Sequence, residues 1–169
     1  MAPGEGLDVL VGGLGLGYTA REALVSPRVA RVEVVEFLPQ VIGWLEKGLI
    51  PLADELKADK RLMVVRGDVY RRLSEPPERA HDLILIDVDH SPDDRLTAAN
   101  GFFYSREGLE RAKRHLKPGG VLGVWSYAES SPFAAALRET FREVRVEPVE
   151  FKNRFVGELQ TDWLFFARP

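Results

Sequence analysis

Leu7-Asp8-Val9-Leu10-Val11-Gly12-Gly13-Leu14-Gly15-Leu16-Gly17 carries the pattern that decides the fold. A short apolar run that ends in glycines is the signature of a strand entering a sheet buried on both faces. Beyond the glycines, Ala20, Arg21, Glu22, Ala23 and Leu24 are helix formers, and Ser26-Pro27 stops them. Strand, glycine turn and helix in that order make the first unit of an alternating α/β chain.

The same alternation continues outward. Arg31 to Glu36 is rich in β-branched residues, and Val41, Ile42, Leu45 and Leu49 then recur at helical steps. Leu62 to Val65 before Gly67-Asp68, and Leu83 to Ile86 before Asp87, read as the third and fourth strands. An amphipathic helix over Leu109 to Leu116 is stopped by Lys117-Pro118-Gly119-Gly120, and Val121 to Trp125 makes a fifth strand. Pro132 to Phe141 suits a helix with proline in its first turn, followed by closing strands over Val144 to Phe151 and Trp163 to Ala167. Parallel strands need right-handed crossovers, so the helices must cover both faces of a mostly parallel sheet. Lys152 to Asp162 has no helical pattern and joins the last two strands as an antiparallel hairpin with a long loop.

Composition narrows the function. With 169 residues, 45% hydrophobic and 29% charged, the chain is expected to fold as one domain, residues 1–169. A net charge of -3 with no block of like charges lacks the basic footprint of nucleic-acid binding. Absence of cysteine excludes disulfides and thiolate metal sites, and His81, His90 and His115 are the only imidazoles. Neither a secretory signal nor an apolar stretch of about 20 residues occurs, so no membrane partner and a cytoplasmic location are expected.

In such sheets ligands bind beyond the carboxyl ends of the strands, where the strand order reverses. Gly13, Gly15 and Gly17 put no side chain between backbone and ligand, and the amides of the following helix can hydrogen-bond to it; a tight strand-to-helix turn is the bland alternative. Glu36, at the end of the second strand, can accept both hydroxyls of a ribose, or stand solvated at the strand end. Gly67-Asp68 can place a carboxylate against an exocyclic adenine amine, or form an ordinary turn. Tyr18 stands where the dinucleotide fingerprint G-x-G-x-x-G needs its last glycine, so an adenosyl ligand without a pyrophosphate fits better than NAD.

Asp87-Val88-Asp89-His90-Ser91-Pro92 follows the fourth strand and faces the same crevice. A carboxylate there can hold and deprotonate an attacking amine, and His90 can act as a base near neutral pH. The competing readings are a turn residue for Asp89 and a solvated loop histidine for His90. Clustering of Asp87, Asp89, His90, Asp93 and Asp94 is as typical of an acidic loop as of a metal site, and no metal is expected. Trp125, Ser126, Tyr127 and Glu129 are candidates for an acceptor wall, and Phe102, Phe103 and Tyr104 for packing under the loop, with one ring face available to a ligand.

Together these residues resemble the spermidine and spermine synthase family, aminopropyltransferases built on the Rossmann-like class I methyltransferase fold. The resemblance runs through Val9-Leu10-Val11 with Gly13, Gly15 and Gly17, then Thr19, Arg21-Glu22, Leu24, Val35-Glu36 and Val41-Ile42. It continues through Gly67-Asp68, Asp87 and Leu116-Lys117-Pro118-Gly119-Gly120-Val121-Leu122. It implies a seven-stranded sheet with a C-terminal antiparallel hairpin, ribose binding by Glu36, adenine binding by Asp68 and catalysis by Asp87. The implied donor is S-adenosylmethionine or its decarboxylated form, and the implied acceptor a small molecule, an amine among the candidates. A homodimer is a further implication of the family.

Three departures qualify the resemblance. Leu16 stands where the family's glycine turn carries the aspartate for the donor's amino end. His90 stands where the family has a second loop aspartate, with Asp89 one position early. The small N-terminal β-domain of the family is expected to be missing, and Trp125 replaces a glutamine after the fifth strand. A small-molecule methyltransferase and a binding or assembly module without turnover are therefore the competing functions.

Overall fold

The computed structural model describes residues 6–88, 90–94, 98–153 and 157–169. β1 (Leu7–Gly12) lies inside a seven-stranded sheet, and its apolar residues alternate between two cores. Val9 and Val11 face one side with Val32, Val34, Leu45 and Leu56, while Leu10 faces the other with Ile84, Leu122, Phe133 and Phe165. Each such fully buried aliphatic side chain contributes about 1.5–3 kcal/mol relative to exposure. That double burial is why the strand reads as an uninterrupted apolar run.

The remaining strands are β2 (Val29–Glu36), β3 (Leu62–Arg66), β4 (His81–Ile86), β5 (Leu116–Ser126), β6 (Glu143–Lys152) and β7 (Leu159–Arg168). Their order across the sheet is β3-β2-β1-β4-β5-β7-β6. β1 to β5 are parallel, and β7 inserts antiparallel between β5 and β6. This is the mostly parallel seven-stranded sheet with a terminal hairpin that the sequence leads one to expect. Chain order reverses between β1 and β4, which puts the switch point beside the glycine turn.

On one side of the sheet lie α1 (Tyr18–Val25), α2 (Pro39–Glu46) and α3 (Ala53–Ala58), and on the other α4 (Val69–Ser74), α5 (Ala98–Phe103), α6 (Arg106–Lys113) and α7 (Ser131–Thr140). Their starts follow from local chemistry: Pro39 opens α2, the Asp68 carboxylate caps α4, and the Ser105 and Ser130 hydroxyls cap α6 and α7. Among the described residues, no helix is long and apolar enough to cross a membrane.

Three boundaries differ from expectation, the first being the end of α2 at Glu46, which leaves Leu49 beyond the helix and exposed. α6 ends at Lys113, and β5 already begins at Leu116, which pairs with His81, while Val121 pairs with Leu83. Lys117 to Gly120 is therefore a bulge within the strand's span rather than a turn before it, with the left-handed Gly119 at φ 77° absorbing the extra length. β6 and β7 also run closer to their turn, because Lys152 pairs with Leu159. α3, α4 and α5 are too short to show a helical period in sequence.

Candidate functional site

Four loops meet at the carboxyl edge of the sheet because backbone hydrogen bonds tie them in series. Asp87 N donates to Gly12 O at 2.8 Å, Gly13 N to Val35 O at 2.9 Å, and Gly67 N to Glu36 O at 2.9 Å. The ends of β4, β1, β2 and β3 thus stand side by side, with Asp87, the glycine turn, Glu36 and Gly67-Asp68 along one edge.

Close packing explains the first glycine. Gly13 has φ 96°, and a Cβ there would lie 2.2 Å from Asp87 O, so no larger residue fits between β1 and the β4 loop. Gly15 is exposed and a Cβ on it would meet nothing within 4 Å, which leaves its backbone bare at the rim. Leu14 turns inward and is buried, while Leu16 and Tyr18 are exposed on the outer turn.

Glu36 is buried, and each of its oxygens holds one backbone amide: Leu14 N donates to Oε2 and Leu38 N to Oε1, both at 2.7 Å. These bonds fix the carboxylate between the glycine turn and the start of α2. A carboxylate oxygen carries two lone pairs, so one acceptor direction per oxygen remains. Asp68 spends Oδ1 on the cap of α4, accepting from Tyr70 N at 2.9 Å and Arg71 N at 3.2 Å. The turn reading of Asp68 and its use of a second oxygen for a ligand are thus compatible.

The Asp87 carboxylate accepts a short hydrogen bond from the Thr19 hydroxyl, in the first turn of α1. Thr19 belongs to the sequence resemblance, but only the structure gives it this task. Asp89, the third candidate of the loop, lies outside the described residues.

His90 is buried, not a solvated loop histidine. Its Nε2 sits 3.1 Å from Tyr70 Oη, 3.1 Å from Asn100 Nδ2 and 3.4 Å from Tyr104 Oη. Burial pushes both phenols well above the usual tyrosine range, so both stay protonated. Rings of Tyr70, Phe103, Tyr104, Phe133 and Phe165 form a connected row with centroids 5.0 to 5.1 Å apart between Phe103 and Tyr104, Tyr104 and Phe133, and Phe133 and Phe165. Phe103 and Tyr104 therefore pack under the loop, as expected.

The two remaining loop carboxylates are engaged elsewhere. Asp93 Oδ1 accepts from Ser130 Oγ at 2.8 Å, and Asp94 Oδ2 accepts from Tyr127 Oη at 2.6 Å and Ser91 N at 3.0 Å. The Tyr127 bond, ahead of the Ser91 amide, holds the Asp94 carboxyl below its usual range. Among the described residues no three histidine or carboxylate groups gather as a metal site. Trp125 is half-buried and donates Nε1 to Asp162 Oδ2 at 3.0 Å, which binds β5 to β7. Sequence reasoning gave no role to Tyr70 or Asn100, because neither belongs to a motif and their meeting with His90 depends on the packing of α4 against α5.

No protein-family profile matches the chain. Curated relatives do. Polyamine aminopropyltransferase 2 of Streptomyces coelicolor is 36% identical over 118 residues, covering 69% of this chain and 21% of that protein. A polyamine aminopropyltransferase of Prochlorococcus marinus is 32% identical over 149 residues, covering 88% of this chain and 47% of that protein. The chain is thus similar to the polyamine aminopropyltransferases over most of its own length. It spans about half or less of the length of these two relatives. A spermidine synthase crystallised with the transition-state analogue AdoDATO superposes with a TM-score of 0.75 at 23% identity, over 98% of this chain and 55% of that one. At that identity the likeness establishes the fold, the class I methyltransferase arrangement.

Proposed function

We propose that this aminopropyltransferase relative binds S-adenosylmethionine or its decarboxylated form as donor and transfers an aminopropyl or methyl group to a small acceptor, an amine in the leading version. The observation that carries the reading is the hydrogen-bonded series of Asp87, Gly13, Glu36 and Gly67-Asp68 along one sheet edge. The residues fit an adenosyl group: Gly15 leaves the rim bare, Glu36 keeps acceptor directions for a ribose, and Asp68 keeps an oxygen for the adenine amine.

In this reading the donor supplies a carbon made electrophilic by its sulfonium. The acceptor's nitrogen lone pair attacks that carbon, the carbon–sulfur bond breaks, and its electrons remain on sulfur as a neutral thioether. Asp87, steadied by Thr19, orients the acceptor and takes its proton. An ammonium has no lone pair to attack with, so that proton must leave first.

Leu16 favours methyl transfer as the second reading. It lies exposed on the glycine turn, where a carboxylate would attract the ammonium of the decarboxylated donor and oppose the carboxylate that S-adenosylmethionine also carries; leucine does neither. A single ligand-binding unit over residues 1–169, a cytoplasmic setting and a homodimer belong to the same proposal.

Calorimetry with methylthioadenosine, S-adenosylhomocysteine and decarboxylated S-adenosylmethionine tests the core claim. Binding is expected, weakened by Glu36→Ala and Asp68→Ala. No binding by any of the three would sink it. Turnover of the decarboxylated donor with putrescine, without turnover of the ordinary donor, would exclude the methyl version.

A further inference from the structure

We propose that Tyr70, Tyr104 and Asn100 are positioning residues that hold His90 as the neutral imidazole with its proton on Nδ1, and so seat the loop that carries Asp87. The inference rests on the functional reading only in what the seated loop is for.

The tautomer follows from the Asn100 amide. Asn100 Nδ2 lies 2.9 Å from Asp94 O, a backbone carbonyl that can only accept, so the nitrogen end of the amide is fixed on that side. The same nitrogen lies 3.1 Å from His90 Nε2 and can only donate. Nε2 must therefore present its lone pair, and a neutral ring carries its proton on Nδ1. Tyr70 Oη and Tyr104 Oη lie 2.9 Å apart and 3.1 and 3.4 Å from Nε2, so one phenol shares the Nε2 lone pair with Asn100 as a second donor and accepts from the other, in either order. Both phenols keep the protons this chain needs. A proton on Nε2 would set donor against donor in a buried site.

The network bridges three elements. Tyr70 stands on α4, Asn100 on α5 with Tyr104 just beyond it, and His90 on the loop after β4. His90 N also donates to Val88 O at 2.7 Å, and Asp87 N to Gly12 O, so the anchor at His90 lies one short turn from the carboxylate. Among the described residues the charged groups facing this cluster are Asp94, whose carboxylate is taken up by Tyr127 and Ser91, and Asp68, which acts on Tyr70 while capping α4. Replacing a loop carboxylate by a neutral imidazole removes a negative charge but adds no positive one. A cationic amine is thus not repelled from the acceptor side, as a protonated histidine would repel it.

Long-range proton–nitrogen correlation spectra of the 15N-labelled protein at neutral pH read the tautomer directly, with His90→Gln identifying the signal against His81 and His115. A bare Nε2 and a protonated Nδ1 are expected; an imidazolium or a proton on Nε2 overturns the inference. Tyr70→Phe and Asn100→Ala are expected to move the His90 nitrogen shifts and the amide signals of Asp87 and Thr19. Unchanged spectra in both variants overturn it as well. His90→Gln, whose side-chain oxygen can accept in place of Nε2, is expected to keep the Asp87 and Thr19 signals that His90→Ala displaces, and equal displacement by both counts against positioning. Methylthioadenosine affinity, measured in parallel, separates the two claims: a wild-type protein that binds no adenosyl ligand defeats the proposed function and leaves the tautomer result standing.

Discussion

Leu14 and Glu36 lock the glycine turn onto the second strand, with Leu14 N donating to Glu36 Oε2 over 2.7 Å in a buried setting. Because Leu38 N donates equally to Oε1, both ends of the side chain must accept. Glu36→Gln preserves shape yet turns an NH2 group toward one of the two amides, whichever way it flips. The expected cost is about 1–3 kcal/mol of folding stability, the usual penalty of an unsatisfied buried donor. Urea unfolding measures it, and a variant as stable as the wild type would mean that the two amides do not depend on this carboxylate.

Asp68 combines a structural and a proposed binding task that substitution can separate. Asparagine caps helices about as well as aspartate, with Oδ1 still facing Tyr70 N and Arg71 N. Its second terminal atom becomes a donor, which opposes an adenine amine. Asp68→Asn should therefore hold stability within about 0.5 kcal/mol while weakening methylthioadenosine binding about tenfold. Asp68→Ala should lose both, at about 1 kcal/mol for the cap. Equal binding by the asparagine variant and the wild type would remove Asp68 from the adenine site.

Why some of this was legible in sequence and some was not has a physical basis. β1 and β4 announce themselves because burial on both faces demands apolar runs, the edge strand β3 keeps a short apolar run although it is only partly buried, and the site residues follow at strand ends, where glycines and carboxylates interrupt those runs. The Lys117 to Gly120 bulge misleads because proline and two glycines spell a turn, while pairing of Leu116 with His81 is a long-range event. Burial of His90 is hidden for the same reason: its partners lie 20, 10 and 14 residues away on elements too short to carry a period. Histidine in a polar loop gives no local sign of which way it turns.

Leu16 should govern the choice of donor if the proposed site is right. Exposed on the glycine turn, it can be exchanged for a charged residue without disturbing the core. Leu16→Asp restores an acceptor for an ammonium, and a charge-assisted hydrogen bond is worth about 1.5–3 kcal/mol. Affinity for decarboxylated S-adenosylmethionine should rise about tenfold relative to S-adenosylmethionine, whose carboxylate the new charge opposes. Competition calorimetry with the two donors gives the ratio, and an unchanged ratio would place the donor's tail away from this turn.

At the opposite, amino end of the sheet, buried histidines should make stability fall as the solution turns mildly acidic. His81 is fully buried, with Nδ1 3.2 Å from Asp8 Oδ1 and Nε2 without a partner among the described residues. Desolvation holds its pKa below the ordinary 6.5, outweighing Asp8, and desolvation does the same to the neighbouring His115. The unfolded chain therefore binds more protons than the folded one as pH falls below about 6.5, and stability declines over that span by up to about 1.4 kcal/mol per pH unit for each histidine. Glu33 and Asp82 act lower. Burial opposes their charge, but Arg72 and Lys117 respectively draw their pKa values below the ordinary 4.5 and 3.8, so their stabilisation is lost only as pH falls through those lowered values. Urea unfolding across the acid range should show the histidine limb first, and the double variant His81→Asn, His115→Gln should flatten it while leaving the more acidic limb. A stability that stays level or rises from neutral pH to about pH 5.5 would show that the two rings are not held neutral by burial.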